Sequence, residues 1–542
     1  MRHSSNFDLA NKVVFIGIDG APFGLVTKWA KEGKLPNLLA LLNESAYGPL
    51  ESAIDLTPPG WSSIYSGKNA GKHGIFDFKV HRPGSYEFVS TNSTMRDAED
   101  IWGILSRFGA RVGVLNAPVT FPVRPVNGFL VSGFLTPGEQ VEYTYPSSLK
   151  EELKRAVPDF RPSSSNELQL NLDKDAYTKN VLNEIENLRL ATTYIKKKQQ
   201  DLDFFGVIVS ETDHVQHWFW KDMENSGSKQ SKYSNVILET YKAVDRLIGE
   251  VLHDADENTY VILVSDHGGT RLKKFFHTNY FLHSIGMLNF KTDLRTTIKR
   301  ILYDKGITQK LYHFLIDRKV FLLHYLLRPL ALTIRDIDWS RTAAYSFGYG
   351  QIYLNIKGRE PQGAISSGQA PETRRLIMDH LSHVSDVSSN NKCPIRAMYT
   401  KEEIFSGPHL EEAPDIQLVM LDGYEAFPWA SIADGIFTES VDRSGTHNTQ
   451  GIVAIRGKGV EKGMIEGASV LDIAPTILGI MDVEIPLDMD GHFLSQAFTE
   501  QHLQLHSPRQ SGTSSKSTQA KYEFTKQEEE QIEESLRSLG YI

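Results

Sequence analysis

Val13-Val14-Phe15-Ile16-Gly17-Ile18-Asp19-Gly20 is an unbroken apolar run that stops on a carboxylate and a glycine. Apolar runs without alternation read as strands buried on both faces, the kind that parallel sheets contain. Tyr260-Val261-Ile262-Leu263-Val264-Ser265 stops in the same way on Asp266-His267, and Phe204-Phe205-Gly206-Val207-Ile208-Val209 leads into Ser210-Glu211-Thr212-Asp213. Residues just past the carboxyl ends of parallel strands face one crevice of an open α/β sheet. The expectation is an α/β fold, a doubly wound and mostly parallel sheet, with Asp19, Asp213, Asp266 and His267 gathered along one edge. His217 follows Asp213 at the spacing of one helical turn, which puts both on one face and makes chelation geometrically easy.

A nucleophile is suggested by Leu56-Thr57-Pro58-Pro59-Gly60-Trp61. The pattern predicts Thr57 as an N-cap with Pro58 opening the helix. A phosphate on the Thr57 hydroxyl would then meet unpaired N–H groups and the positive helix end. A threonine hydroxyl is a poor nucleophile at neutral pH unless a metal or a base stabilises its alkoxide. The Asp/His set, joined by His447 in Gly445-Thr446-His447, supplies such a metal site. His73, His214, His277 and His283 are expected to cap or pack rather than to ligate.

With these residues in place, the chain resembles the alkaline phosphatase superfamily, in its type I phosphodiesterase/nucleotide pyrophosphatase branch. The resemblance runs from Ile18-Asp19-Gly20 through Gly71-Lys72-His73-Gly74-Ile75 to Gly445-Thr446-His447 and Leu471-Asp472-Ile473-Ala474-Pro475-Thr476. It implies an alkaline-phosphatase-type sheet, into which this chain is expected to insert a helical cap. It also implies two divalent metal ions, one held by Asp19, Thr57, Asp266 and His267, the other by Asp213, His217 and His447. Zinc is the metal the resemblance implies; the imidazole and carboxylate donors agree with zinc and allow manganese. The implied reaction is in-line attack by Thr57 on phosphorus, giving a phospho-threonine that water then hydrolyses. A phosphodiesterase is expected, with a phosphomonoesterase or a phosphotransferase/phosphomutase as alternatives and a degenerate binding module as the non-enzyme reading. The chain departs from the nucleotide pyrophosphatase pattern after His73-Gly74-Ile75, where Phe76-Asp77-Phe78 stands in place of a phosphoryl-binding asparagine. Asn116 is a candidate replacement, and Tyr353 and Arg359 are candidate substrate contacts. Sulfatase chemistry is disfavoured, because the single cysteine, Cys393, sits in Cys393-Pro394-Ile395-Arg396 with the wrong spacing for the matured nucleophile of that class.

The 542 residues, 40% hydrophobic and 23% charged, suffice for one large α/β core with insertions. A net charge of -9 carries no signature of a duplex nucleic-acid partner. A lone cysteine and the absence of a signal-like apolar stretch before Val13 predict a cytoplasmic protein. The catalytic core is expected over 12–270 and 340–498, a helical cap over 271–339, a flexible linker over 499–521 and an amphipathic helix over 522–542. Between Thr270 and Pro329, twelve basic residues face three acidic ones. The same segment carries the apolar stretches Leu311–Ile316 and Val320–Leu327, too short to span a bilayer. Two readings of this cap stand: a helical cap whose apolar face packs on the core and whose basic face is solvated, or one that binds a phosphate ester with an anionic lipid or glycan moiety and makes peripheral contact with the inner membrane face. Near the end, Thr525-Lys526-Gln527-Glu528 has capping-box spacing, and Ile532, Leu536 and Leu539 follow at helical intervals.

Overall fold

The computed structural model describes residues 11–82, 84–162, 173–224, 231–304, 332–428, 435–440, 443–512 and 520–541. Its main sheet is built from β1 (Lys12–Ile18), β2 (Ala46–Glu51), β3 (Val112–Ala117), β4 (Gly128–Ser132), β5 (Thr144–Tyr145), β6 (Phe204–Val209), β7 (Thr259–Val264), β8 (Gln450–Arg456) and β9 (Gly463–Met464). The spatial order is β9-β2-β8-β7-β1-β6-β3-β4-β5, and Ala468–Ser469 adds a tenth strand beside β2. β1 runs parallel to both β6 and β7, with Ile18 opposite Val209 and Gly17 opposite Val264. Three carboxyl ends therefore finish side by side. β3 continues the parallel run between β6 and β4, while β8 is antiparallel to β7 and β2.

Every residue of β6 and β7 is buried, because helices cover both faces. These are α1 (Thr57–Ser66), α2 (Lys174–Lys198), α3 (Glu211–Glu224), α4 (Val236–Leu252) and α5 (Ile473–Ile480), followed by α6 (Lys526–Leu539). Alternation along β1 splits its side chains between two cores. Ile16 and Ile18 join Leu188 of α2, Leu247 and Ile248 of α4, and Leu536 of α6. Val13 and Phe15 join Trp61 and Ile64 of α1 with Ile473 and Ile477 of α5. Each such aliphatic side chain contributes about 1.5–3 kcal/mol by leaving water.

The structure adds detail to the domain boundaries expected from sequence. Residues after 340 do not rejoin the main sheet directly. Ala344–Ser346, Gln351–Leu354, Ile416–Met420 and Ile395–Thr400 pair in that order as a separate antiparallel sheet with its own core around Ile352, Ile377 and Ile416. All four strands come from residues 344–420, with the helix Ala370–Ser382 between Gln351–Leu354 and Ile395–Thr400, and the chain returns to the main sheet only at Gln450. The expected linker contains a helix, Glu500–Leu505, capped by Thr499, and Gln510–Ser511 pairs with Ile485–Pro486.

The expected basic cap is described only in part. Residues 305–331, which hold both of its apolar stretches, lie outside the described residues. Within the described part, Lys299 is buried and pairs with Asp336 at 2.8 Å, Arg271 pairs with Glu224 and Lys274 with Asp386. Part of the positive excess counted from sequence is thus neutralised internally. Among the described residues, no helix is long and apolar enough to cross a membrane.

Candidate active site

Asp19 follows β1, Asp213 lies in the first turn of α3 after β6, and Asp266-His267 follow β7. All four are buried at the shared carboxyl edge. Two glycines permit the close approach. Gly20 is left-handed at φ 63°, and a Cβ there would lie 2.5 Å from Asp213 Oδ1. A Cβ on Gly17 would lie 2.5 Å from the Trp61 ring. With no side chain at Gly17, the indole lies against β1 and its Nε1 donates to Asp19 Oδ2 at 3.0 Å.

Thr57 is the first residue of α1 rather than its N-cap, which is Leu56, and no side chain caps the helix. Its hydroxyl instead donates to Asp19 Oδ1 at 3.4 Å and lies 3.4 Å from His267 Nε2. The expected row of N–H donors is reduced for a chemical reason. Pro58 and Pro59 have no N–H, and Gly60 N–H is already bonded to Leu56 O. Thr57 N–H is what remains in that turn.

His447 arrives on a separate two-stranded ribbon, Gly445–Asn448 against Gly268–Arg271, with His447 opposite Gly269. Asp213 and His217 meet across one turn of α3, Oδ2 to Nε2, at 3.0 Å; His447 Nε2 lies 3.1 Å from His217 Nε2 and 3.4 Å from Asp213 Oδ2. The seven residues named from sequence thus converge. Two sets of donor atoms lie close enough together to share an ion each, Asp19/Asp266/His267 and Asp213/His267/His447, so that His267 borders both. None of the four histidines set aside from sequence lies in either set.

The electrostatics fit a cation. Burial raises the pKa values of Asp19 and Asp266, and the neighbouring carboxylates raise them further. Asp266 Oδ2 is buried and accepts no hydrogen bond among the described residues. Burial, aided by His447, holds His267 down at about 3, so the ring is neutral. Its Nδ1 lies 3.0 Å from Gly268 O, which fixes the proton there and turns the Nε2 lone pair into the centre. Burial would raise Asp213, but His217 and His447 outweigh it and keep the carboxyl well below the usual range. Burial lowers His217, whereas at His447 the Asp213 carboxylate overcomes burial and raises it. Buried carboxylates with bare imidazole nitrogens are the donor set of a divalent metal.

Three residues escaped the reading from sequence. Arg443 Nη2 donates to His217 Nδ1 at 3.0 Å and pairs with Glu425 at 2.6 Å, holding the ring from behind. Because arginine only donates, this contact keeps the His217 proton on Nε2, so His217 would ligate through Nε2 only with that proton moved to Nδ1 and the Arg443 contact given up. Tyr541, just after α6, donates from its hydroxyl to Asp213 Oδ2. Arg443 could have been suspected from its place four residues before His447; Tyr541 left no local signal.

The candidate substrate contacts have other partners. Asn116, at φ 62°, donates its amide to Ile208 O at 2.9 Å and ties β3 to β6. Tyr353 donates to Gln351 Oε1, and Arg359 is engaged by Asp415 and Glu360 in the antiparallel lobe. A buried polar group takes an internal partner where the local fold offers one. The structure gives all three such partners in place of contacts with the seven.

No curated protein sequence matches the chain. Among solved structures, it resembles murine ectonucleotide pyrophosphatase/phosphodiesterase 5 at 14% identity and TM-score 0.50, covering 90% of this chain and 100% of that one. It also resembles phosphonoacetate hydrolase from Sinorhizobium meliloti 1021 at 15% identity and TM-score 0.52, covering 86% of this chain and 94% of that one. At such identities the likeness is one of fold. The family model for type I phosphodiesterase/nucleotide pyrophosphatase matches residues 13–449, a span that contains every member of the centre from Asp19 to His447. The chain belongs to that family and is a phosphoric ester hydrolase.

Proposed function

We propose that the chain hydrolyses phosphodiesters by passing the phosphoryl group to Thr57 Oγ1 and then to water. The observation that carries this reading is the Thr57 hydroxyl, which is not spent on capping α1 and faces Asp19 and His267. Asp19, Thr57, Asp266 and His267 would hold one divalent ion and Asp213, His217 and His447 a second, with zinc the best match to these donors and manganese compatible. Such ions, when bound, supply the positive charge that favours a threonine alkoxide and neutralises the departing ester oxygen. The chain's own groups do the positioning. Asp19 Oδ1 accepts the Thr57 proton in a hydrogen bond, Trp61 holds the other oxygen of Asp19, and Gly268 O keeps the proton of His267 on Nδ1. Burial of the centre excludes bulk water from competing with Thr57.

Turnover of bis(p-nitrophenyl) phosphate should exceed that of p-nitrophenyl phosphate, and chelation should abolish both. Preference for the monoester would indicate a monoesterase. Transfer to an added alcohol, in place of release to water, would indicate a phosphotransferase.

A contact with anionic membrane is a second proposal, supported by one face of the helix Leu294–Asp304. Leu294, Ile298 and Ile301 recur at helical spacing and are 78%, 46% and 46% exposed, with Arg295 exposed beside them. Apolar side chains flanked by cations are the makings of an interfacial helix. The protein should bind vesicles containing phosphatidylserine, less so at high salt, and Leu294→Ser with Ile298→Ser should remove that binding. Equal binding to neutral vesicles, or none at low salt, would sink the idea.

A further inference from the structure

The structure assigns Tyr541 to the metal centre: we infer that its hydroxyl positions the Asp213 carboxylate as a metal ligand. The inference rests on the two-cation reading above and names a residue outside the span that matches the family model. Among the described residues, three side chains meet the Asp213 carboxylate, His217, His447 and Tyr541. In the proposed reading His217 and His447 hold the same ion as Asp213, so Tyr541 is the group that orients Asp213 from outside the ligands. Gly20 flanks Oδ1 on the other side, leaving the carboxylate little room to rotate.

The segment is built to deliver this one side chain. The chain docks first through Tyr522 and Phe524, which meet the Phe121 ring at 5.5 and 6.1 Å. Along α6, Glu529 accepts from the backbone and hydroxyl of Ser90, Glu533 pairs with Lys79, and Leu536 and Leu539 are fully buried. Gly540 then turns left-handed at φ 90°, where a Cβ would press on Arg443 and Trp218. Beyond that turn Tyr541 is 1% exposed. Its N–H is bonded to Leu536 O at 2.8 Å, its carbonyl accepts from Tyr349 at 2.6 Å, and its ring lies 4.5 Å from Phe78 and 4.9 Å from His217. A packing anchor needs only the ring. Here the hydroxyl of a locked ring is aimed at the oxygen of Asp213 that also faces His217 and His447. Hydrogen bonds of this kind fix ligand orientation, and losing one typically weakens metal binding about 10–100-fold.

The test is metal binding to the full chain, measured by zinc titration and by the rate of zinc transfer to a chelator, for the wild type and Tyr541→Phe. The phenylalanine keeps the ring contacts and removes only the hydroxyl. One of two zinc ions should bind about 10–100-fold more weakly in Tyr541→Phe and leave faster, while the other stays as in the wild type. Melting temperatures of the two chelated proteins should agree, which separates this role from a structural one. If both ions bind equally well in the two proteins, or both weaken together with a lower melting temperature of the chelated variant, Tyr541 does not position Asp213. A wild type that binds no divalent ion would overturn the reading of the centre itself, a result distinct from either.

Discussion

Thr57 opens α1 one position inside the cap, and its hydroxyl faces Asp19 and His267. Thr57→Ala should lower turnover by at least about 1,000-fold while leaving metal content near two ions, since the other donors remain. Thr57→Ser should retain measurable activity. Near-normal turnover by purified Thr57→Ala would exclude covalent transfer. A second residue gives a prediction about acid stability. Burial holds His277 down at about 3, below the ordinary 6.5, while its Nε2 lies 2.7 Å from Thr438 Oγ1. Between those two values the unfolded chain takes up a proton that the folded chain refuses. This contribution is therefore complete above pH 6.5 and falls as the pH drops toward 3, by about 1.4 kcal/mol per pH unit. His277→Gln, which cannot titrate, should flatten the fall in denaturation midpoint between pH 6.5 and 5; an unchanged slope would show that His277 is already accessible to protons.

Among the elements, α6 is the one whose docking can be tested alone. Leu536→Ala removes a fully buried side chain from the main core and should cost about 2–5 kcal/mol, read as faster amide hydrogen exchange over α6. Unaltered exchange would mean that the polar contacts with Ser90 and Lys79 hold the helix unaided. Comparing elements also shows what the amino-acid order reveals. β1, β6 and β7 were legible because they are buried on both faces and so carry uninterrupted apolar runs, and their ends located Asp19, Asp213 and Asp266. The one-turn pairing of Asp213 with His217 was legible because helical geometry is local. Thr57 was found but assigned the wrong helical position, since threonine before proline reads as a cap whether or not its hydroxyl is used. Lys299 entered the count of basic residues unpaired because its partner Asp336 is 37 residues away and leaves no local pattern. Tyr541 was out of reach for the same reason, being 328 residues from Asp213.

At the scale of the whole molecule, the centre joins segments that the chain supplies far apart, so its ligands should also act as a fastener. Divalent metal at about 100 times its dissociation constant stabilises a native state by about 2.7 kcal/mol per site. Zinc added back to chelated protein should raise the melting temperature, and magnesium, which favours oxygen donors, should do so less. Equal melting with and without zinc would argue that the centre is held together by packing alone. The position of β8 has a further consequence, for biosynthesis. β8 fills the gap between β2 and β7, yet it follows β7 by most of two hundred residues. At about 5–20 residues per second, a ribosome needs roughly 10 to 40 s to cover that distance, during which a nascent chain that has made β7 presents an unpaired apolar edge. The interval between β7 and β8 is thus the time when this protein most needs a chaperone, and a chain stopped just before Gln450 should emerge as aggregate instead of a smaller folded domain.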